Sequence, residues 1–221
     1  MKRSAAICFL AIEGILYALF LAGDLLHTHD TVWLKFAAIT LVAAAGLLAG
    51  AGWENRLTTA ALFLTLAADT FLLVLDAHYM FGVALFLTVQ LLYTLRLAVC
   101  SGRTSGRTVS VRLVPALAAA VVMARVDLRT VLPAAYIVWF AVNLADSIRL
   151  AAIYPNRRNI CFAVGLLLFF CCDLCVGVHN LSGSQLPAQL MDFADVAMWG
   201  FYLPGQILIL ASTEALGGHQ V

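Results

Sequence analysis

Charge is what this sequence has least of. Asp, Glu, Lys and Arg make up 11% of its 221 residues, less than half of the roughly 25% usual in soluble domains. The formal net charge is only +1, so bulk electrostatics would not draw in a nucleic acid, and no nucleic-acid partner is expected. Also missing are a Gly-rich phosphate loop, a nucleophile elbow and a His-Glu-x-x-His helix. Cys172-x-x-Cys175 has redox or metal spacing, but no second pair and no Cys-His finger pattern accompany it. Most of the six cysteines lie in or beside apolar runs, where a free Cys behaves as a small hydrophobe. At the His27/His29 segment, Asp24-x-x-His27-x-His29-Asp30 looks like metal ligands, yet no partner cluster is visible elsewhere. The reading is therefore no cofactor and no metal.

What fills the chain instead is hydrocarbon. Hydrophobic residues account for 63%, against about 45–50% in soluble domains. One core of this length could not bury that much apolar surface, so lipid must cover the rest. Eight stretches are long enough, at roughly 17–23 residues, to cross a bilayer core. They fall near 4–22, 32–51, 57–75, 79–100, 111–126, 130–152, 159–178 and 193–213. None shows strand-like alternation, and helices are what can satisfy so much backbone in lipid without a closed barrel. The expected fold is all-α: one integral membrane domain, 1–221, a polytopic bundle of about eight transmembrane helices. Lys2-Arg3 before an apolar run resembles a signal peptide, but Glu13 interrupts that run and seven more stretches follow. It reads as an uncleaved first helix.

Basic residues divide unevenly between the two sides. With the N-terminus inside, the inner segments hold ten of the thirteen Lys and Arg residues, among them Arg56, Arg96, Arg103, Arg112, Arg149 and Arg158. The outer segments keep Lys35, Arg125 and Arg129 with five aspartates. This asymmetry places both termini in the cytoplasm, most naturally at the cell membrane. The Ser/Gly/Arg-rich stretch Ser101–Ser110 reads as a hinge between two sets of four helices. Asp69 and Asp173 occupy matching places in the third and seventh helices, and Gln90 and Gln206 in the fourth and eighth. That is either a parallel internal repeat, two related four-helix halves, or coincidence.

Carboxylates inside apolar runs carry the functional question. Each costs at least ~2.5–3.5 kcal/mol to insert and should face the bundle interior. Glu13, Asp69, Asp146 and Asp173 qualify. At 1.5 Å per residue, Asp69, Asp173, Gln90 and Gln206 fall in one layer, from the midplane toward the outer side, with Asn143 in it or just below. Asp146 lies three residues from both Asn143 and Arg149, which suggests a structural ion pair with Arg149. Glu13 serves either as packing glue or in function. Lys35 near the outer boundary meets a lipid phosphate or snorkels. For Asp69 and Asp173 the plain alternative is interhelical hydrogen bonding. The functional one is a pair of nearby carboxyls titrating apart into an acid and a base.

Several of these residues sit in recognisable motifs. Ala68-Asp69-Thr70-Phe71-Leu72, Phe81-Gly82, Phe86 and Leu92-Tyr93 resemble the third- and fourth-helix signature of the YhhN family. Gly165, Phe169, Cys172-Asp173 and Asn180 resemble its seventh-helix motif, and Phe201-Tyr202 with Gln206-Ile207-Leu208-Ile209 and Ser212 its final segment. The resemblance covers most of the chain from Lys35 on, and the family has eight helices. Three departures stand out: Gln90 where the family usually has His, Phe36 for the Pro after Lys35, and Cys172 for Ser.

That family includes the lysoplasmalogenases, so the resemblance implies hydrolysis of a vinyl-ether bond in a lysophospholipid or other single-chain lipid. Asp69 and Asp173 would be the catalytic pair. Gln90, Tyr93, Tyr202 and Gln206 would position water or the lipid's glycerol oxygens, with Lys35 and Asn143 in support. The rival class is a non-catalytic lipid-binding membrane protein or transporter with a polar midplane pathway. Pro204-Gly205 would supply the broken helix that transport needs. A purely structural bundle, its polar groups fixing helix register, is the third reading.

Overall fold

The computed structural model describes residues 1–26, 30–103, 105–180 and 187–216. Eight helices succeed one another: α1 (Arg3–Leu26), α2 (Val32–Gly46), α3 (Trp53–Asp69), α4 (Tyr79–Ser101), α5 (Ser105–Met123), α6 (Val131–Ile153), α7 (Arg157–Asn180) and α8 (Ala188–Ala211). A π-helical turn, Thr70–Val74, prolongs α3, and a 3-10 turn, Leu128–Thr130, leads into α6. Seven of these segments are long and apolar enough to cross a membrane, and α2 is a shorter apolar helix. Large apolar side chains such as Ile15, Leu26, Val114 and Val122 are exposed on α1 and α5. Water would not tolerate such a continuous apolar surface, whereas hydrocarbon matches it. The protein is an integral, multi-pass membrane protein.

Two helix boundaries differ from expectation for identifiable reasons. The stretch expected as a hinge, 101–110, is mostly helical. Helix α4 continues to Ser101 and is closed by Gly102 in the left-handed region (φ 64°), and α5 already begins at Ser105. The polar Ser/Arg content of 105–110 misleads because a helix at the bundle's end can carry polar residues on an open face. Helix α2 ends at Gly46 rather than 51, and successive i→i−3 bonds at Leu47, Leu48 and Ala49 tighten the chain there.

The arginine-rich end of the bundle collects the N-terminus, the start of α3, the end of α4, the α6–α7 connection and residues 212–216. Two arginines counted with the segments at that end, Arg96 and Arg112, lie instead buried within α4 and α5. Side-chain partners inside the bundle hold both guanidiniums away from open solvent. Near the other end of the bundle, Asp24 of α1 accepts from Lys35 of α2 at 3.0 Å and from Thr31 at 2.6 Å. His27 and His29, which with Asp24 and Asp30 suggested a metal site, lie outside the described residues.

Helices α7 and α8 approach most closely. A Cβ on Gly165 would lie 2.9 Å from the Gly205 carbonyl oxygen, so only glycine allows the two backbones to touch. This contact sets α8's height against α7 and hence Tyr202 against Asp173. Pro204 does not break α8, which runs through it. Proline leaves the carbonyl four residues earlier without its helical donor. That carbonyl, Gly200, accepts instead from the Tyr17 hydroxyl of α1 at 3.0 Å.

Candidate active site

Asp69 is the last residue of regular α3, and the π turn begins one residue later. Single π turns inside α-helices recur at functional sites because they re-aim one side chain. The Asp69 carboxyl points inward, is 5% exposed, and accepts from the Tyr202 hydroxyl of α8 at 2.7 Å. Asp173, on α7 and half-buried, accepts a short hydrogen bond from the Tyr136 hydroxyl of α6. Packed rings link the two phenols: Tyr202 lies on Phe169 at 5.5 Å, Phe169 on Phe140 at 5.1 Å and Phe140 on Tyr136 at 6.0 Å. Among the described residues neither aspartate has a basic group within ion-pairing distance. Two acids thus share one region, each held by a phenol from a different helix.

Rings of Phe86, Tyr136, Phe140, Phe169, Tyr202 and Trp199 wall this region, packed edge-on or tilted with centroids 5.1–6.3 Å apart. Aromatic walls hold the phenols without adding charge, so the carboxyls remain the strongest polar groups present.

Gln90 belongs to the same neighbourhood, since its carboxamide lies near the Tyr136 hydroxyl. It is fully buried, and its Oε1 accepts from Asn143 Nδ2 at 2.8 Å. That bond orients the amide, so Nε2 is the group left to donate. Asn143 Oδ1 in turn accepts from Arg112 Nε at 2.6 Å and from the Thr94 hydroxyl at 3.0 Å. Trp139 Nε1 donates to Thr94 at 2.9 Å. Asn143 thus fixes the Gln90 carboxamide in place.

Asp146 closes this network, and its partner differs from the one expected. Arg112 Nη2 binds it at 2.8 Å and Arg103 Nη1 at 3.5 Å, whereas Arg149 makes no ion pair with it. Arg112 is fully buried on α5, and α5 packs directly on α6. A neighbour three residues along the same helix loses to a guanidinium aimed from the adjoining one.

The remaining sequence candidates divide. Gln206 is fully buried on the Tyr202 face of α8, and neither of its amide atoms has a protein hydrogen-bond partner. Thr65, one helical turn from Asp69, likewise has an unpartnered buried hydroxyl. Tyr93 is not drawn to the aspartates: its ring packs on Phe162 at 5.4 Å, toward Arg96. Lys35 is committed to Asp24 at 2.9 Å and lies over Trp199 at 5.1 Å from the ring centroid. Glu13 is buried, and among the described residues neither of its carboxyl oxygens has a hydrogen-bond partner.

Tyr136 and Arg112 escaped the sequence reading. A tyrosine within an apolar helix gives one usable signal, because a buried hydroxyl needs an acceptor. Only the packing says which acceptor it finds.

An all-α membrane bundle holding two uncompensated acids beneath phenols defines a class of polytopic membrane protein with an acidic intramembrane site. The model of the YhhN family matches residues 30–213, and the chain belongs to that family. No curated protein and no solved structure matches it.

Proposed function

We propose that this protein is a membrane-embedded hydrolase of lysoplasmalogen-type lipids, cleaving the vinyl-ether bond by acid–base chemistry between Asp69 and Asp173. One observation supports the reading: among the described residues each aspartate has a phenol and no cation as partner, and packed rings join the two phenols. Membership of the YhhN family supports it at the level of the family.

The chemistry asks for such a pair. One carboxylic acid protonates the alkenyl carbon remote from the ether oxygen, converting the vinyl ether to an oxocarbenium ion. The other carboxylate stabilises that cation and takes a proton from the attacking water. The resulting hemiacetal collapses to a fatty aldehyde and the glycerophospho-base, its hydroxyl proton moving to the glycerol oxygen. The first acid regains its proton from the second, so the pair ends as it began. Tyr136 and Tyr202 hold the carboxyls in place. Gln90, Gln206 and Thr65 offer polar atoms toward the water or the glycerol oxygens. Cys172 contributes its small size beside Asp173, where the family usually has Ser.

Lipid access comes through the bilayer, since Asp173 is only half-buried on α7. The alkenyl chain enters between helices from the membrane, at the cell membrane, with both termini cytoplasmic by the positive-inside rule. A transport pathway built on a broken α8 is disfavoured, because Tyr17 caps the carbonyl that Pro204 frees and the helix continues.

The test is aldehyde release from a lysoplasmalogen by the purified protein in detergent. Turnover by the wild type that Asp69→Asn and Asp173→Asn each abolish, with folding intact, supports the proposal. Tight lipid binding without turnover overturns it in favour of a lipid-binding protein.

A further inference from the structure

A second polar region lies far from the aspartates. At the arginine-rich end a cavity of about 480 Å³ is lined by Glu54, Arg96, Cys100, Tyr154, Arg158 and Asn159, together with Ser101, Gly102 and Asn156. This volume falls within the range of small-ligand pockets, about 300–1,000 Å³.

Arg96 is the unusual member. It is 3% exposed, yet among the described residues no carboxylate lies within ion-pairing distance of its guanidinium. Nη1 donates to the Thr58 hydroxyl at 2.8 Å and Nη2 to the Ser212 carbonyl at 3.3 Å, and the plane stacks 3.8 Å from the Phe162 ring centroid. Neutral partners hold it in place, and Glu54, on the same cavity wall, acts on it only from beyond ion-pairing distance. The nearby acid, Glu54, is engaged elsewhere: Arg158 binds it at 3.0 Å and also reaches Glu214 at 3.8 Å. Arg112, the other buried arginine, shows the contrast, since it has its aspartate at 2.8 Å.

The surroundings favour an anion as well. Helix α7 starts at the cavity, so the positive end of its dipole faces the same space. Tyr154 and Asn156 add neutral hydrogen-bonding groups to the wall, while the Ser101 hydroxyl and the Asn159 amide already donate to the Leu97 and Tyr154 carbonyls. A planar guanidinium with neutral donors suits the several oxygens of a phosphate better than a halide.

We propose that this cavity is a binding site for a phosphate ester, either a small soluble one or the phosphate of a single-chain lipid, distinct from the aspartate site. Distance separates the two sites. Thr58, which touches Arg96, precedes Asp69 by eleven residues on the same helical segment, or about 16 Å. A glycerophosphate spans roughly half of that, so a lipid whose phosphate rests on Arg96 cannot present its vinyl ether to Asp69. The site does not depend on the hydrolase reading.

Cys100 permits a test that spares the buried arginine. It is exposed, lines the cavity and lies one helical turn from Arg96 on α4. Cys100→Asp supplies the carboxylate that Arg96 lacks, and Cys100→Asn is its neutral counterpart. Calorimetric titration of the detergent-solubilised full chain would use inorganic phosphate, glycerol 3-phosphate, a twelve-carbon lysophosphatidate and, as control, acetate. Wild type and Cys100→Asn are expected to bind at least one phosphate compound, and Cys100→Asp to bind it at least about tenfold more weakly at an unchanged melting temperature. Equal affinity for glycerol 3-phosphate and the lysolipid assigns a soluble ligand, and a tenfold preference for the lysolipid assigns a headgroup. The proposal is overturned if no phosphate compound binds, if acetate binds as well, or if Cys100→Asp keeps wild-type affinity.

Discussion

Three aspartates sit inside the apolar helices of this protein, and the fold treats them in two ways. Asp146 meets Arg112 at 2.8 Å and Arg103 at 3.5 Å. Asp69 and Asp173 meet tyrosines, with no cation in ion-pairing distance among the described residues. A carboxylate locked to a guanidinium is neutralised and has little chemistry left to offer. An acid held by a phenol has no fixed counter-charge and remains free to exchange a proton. Sequence position does not separate the two treatments, since all three lie in similar apolar runs. What separates them is the neighbouring helix.

The comparison breaks most visibly through activity. Asp69→Asn and Asp173→Asn should each lower vinyl-ether hydrolysis by roughly 10²–10⁴-fold, the usual contribution of a positioned acid or base. Aldehyde release measured beside a folding check reports this, and Asp146→Asn in the same assay should keep turnover within about tenfold. Equal losses in all three variants, with folding intact, would erase the distinction.

Stability should show the reverse order. Asp146→Asn strands the Arg112 charge, which is fully buried, whereas Asp146 itself is 22% exposed. The cost expected is about 3 kcal/mol, at the lower end for breaking a buried pair. Denaturant titration in mixed micelles checks it, and the double replacement Arg112→Met with Asp146→Leu should recover most of the loss.

Smaller effects sharpen the picture around the acids. Tyr202→Phe and Tyr136→Phe remove the hydroxyl that holds each carboxyl, and kcat/KM should fall by roughly tenfold or somewhat more, the value of a hydrogen bond to a charged group. An unchanged kcat/KM in both would leave the phenols without a positioning role. The smallest change concerns Gln206, whose carboxamide has no hydrogen-bond partner among the described residues. Gln206→Met should leave stability unchanged or raise it by about 1 kcal/mol, while reducing kcat/KM. A clear loss of melting temperature would instead make Gln206 a structural group.

Much of this could be read along the chain. Each of the eight helices overlaps one of the apolar runs, because a span in hydrocarbon must satisfy its backbone within itself. The layer joining Gln90 to Asn143 was also legible, since a fixed rise per residue converts position into depth. Depth alone does not give direction. Tyr93 lies one turn from Gln90, yet faces Phe162 and Arg96 rather than the acids. Lys35 lies near the lipid boundary by position, yet folds back onto Asp24. Asp146 was paired with the wrong arginine because i,i+3 spacing is visible in sequence and helix–helix contact is not.

The sequence by itself determined that this is a membrane protein, how many apolar segments it has, and which acids must face inward, because burying charge and unpaired backbone in hydrocarbon carries a free-energy cost that permits few alternatives. Only the tertiary structure decided which acid is matched by a cation and which is held by a phenol, and that among the described residues no carboxylate comes within ion-pairing distance of Arg96. Those outcomes depend on contacts between residues as much as 133 positions apart, such as Asp69 and Tyr202. Such contacts arise from how helices pack against one another, which the pattern within any one helix does not encode.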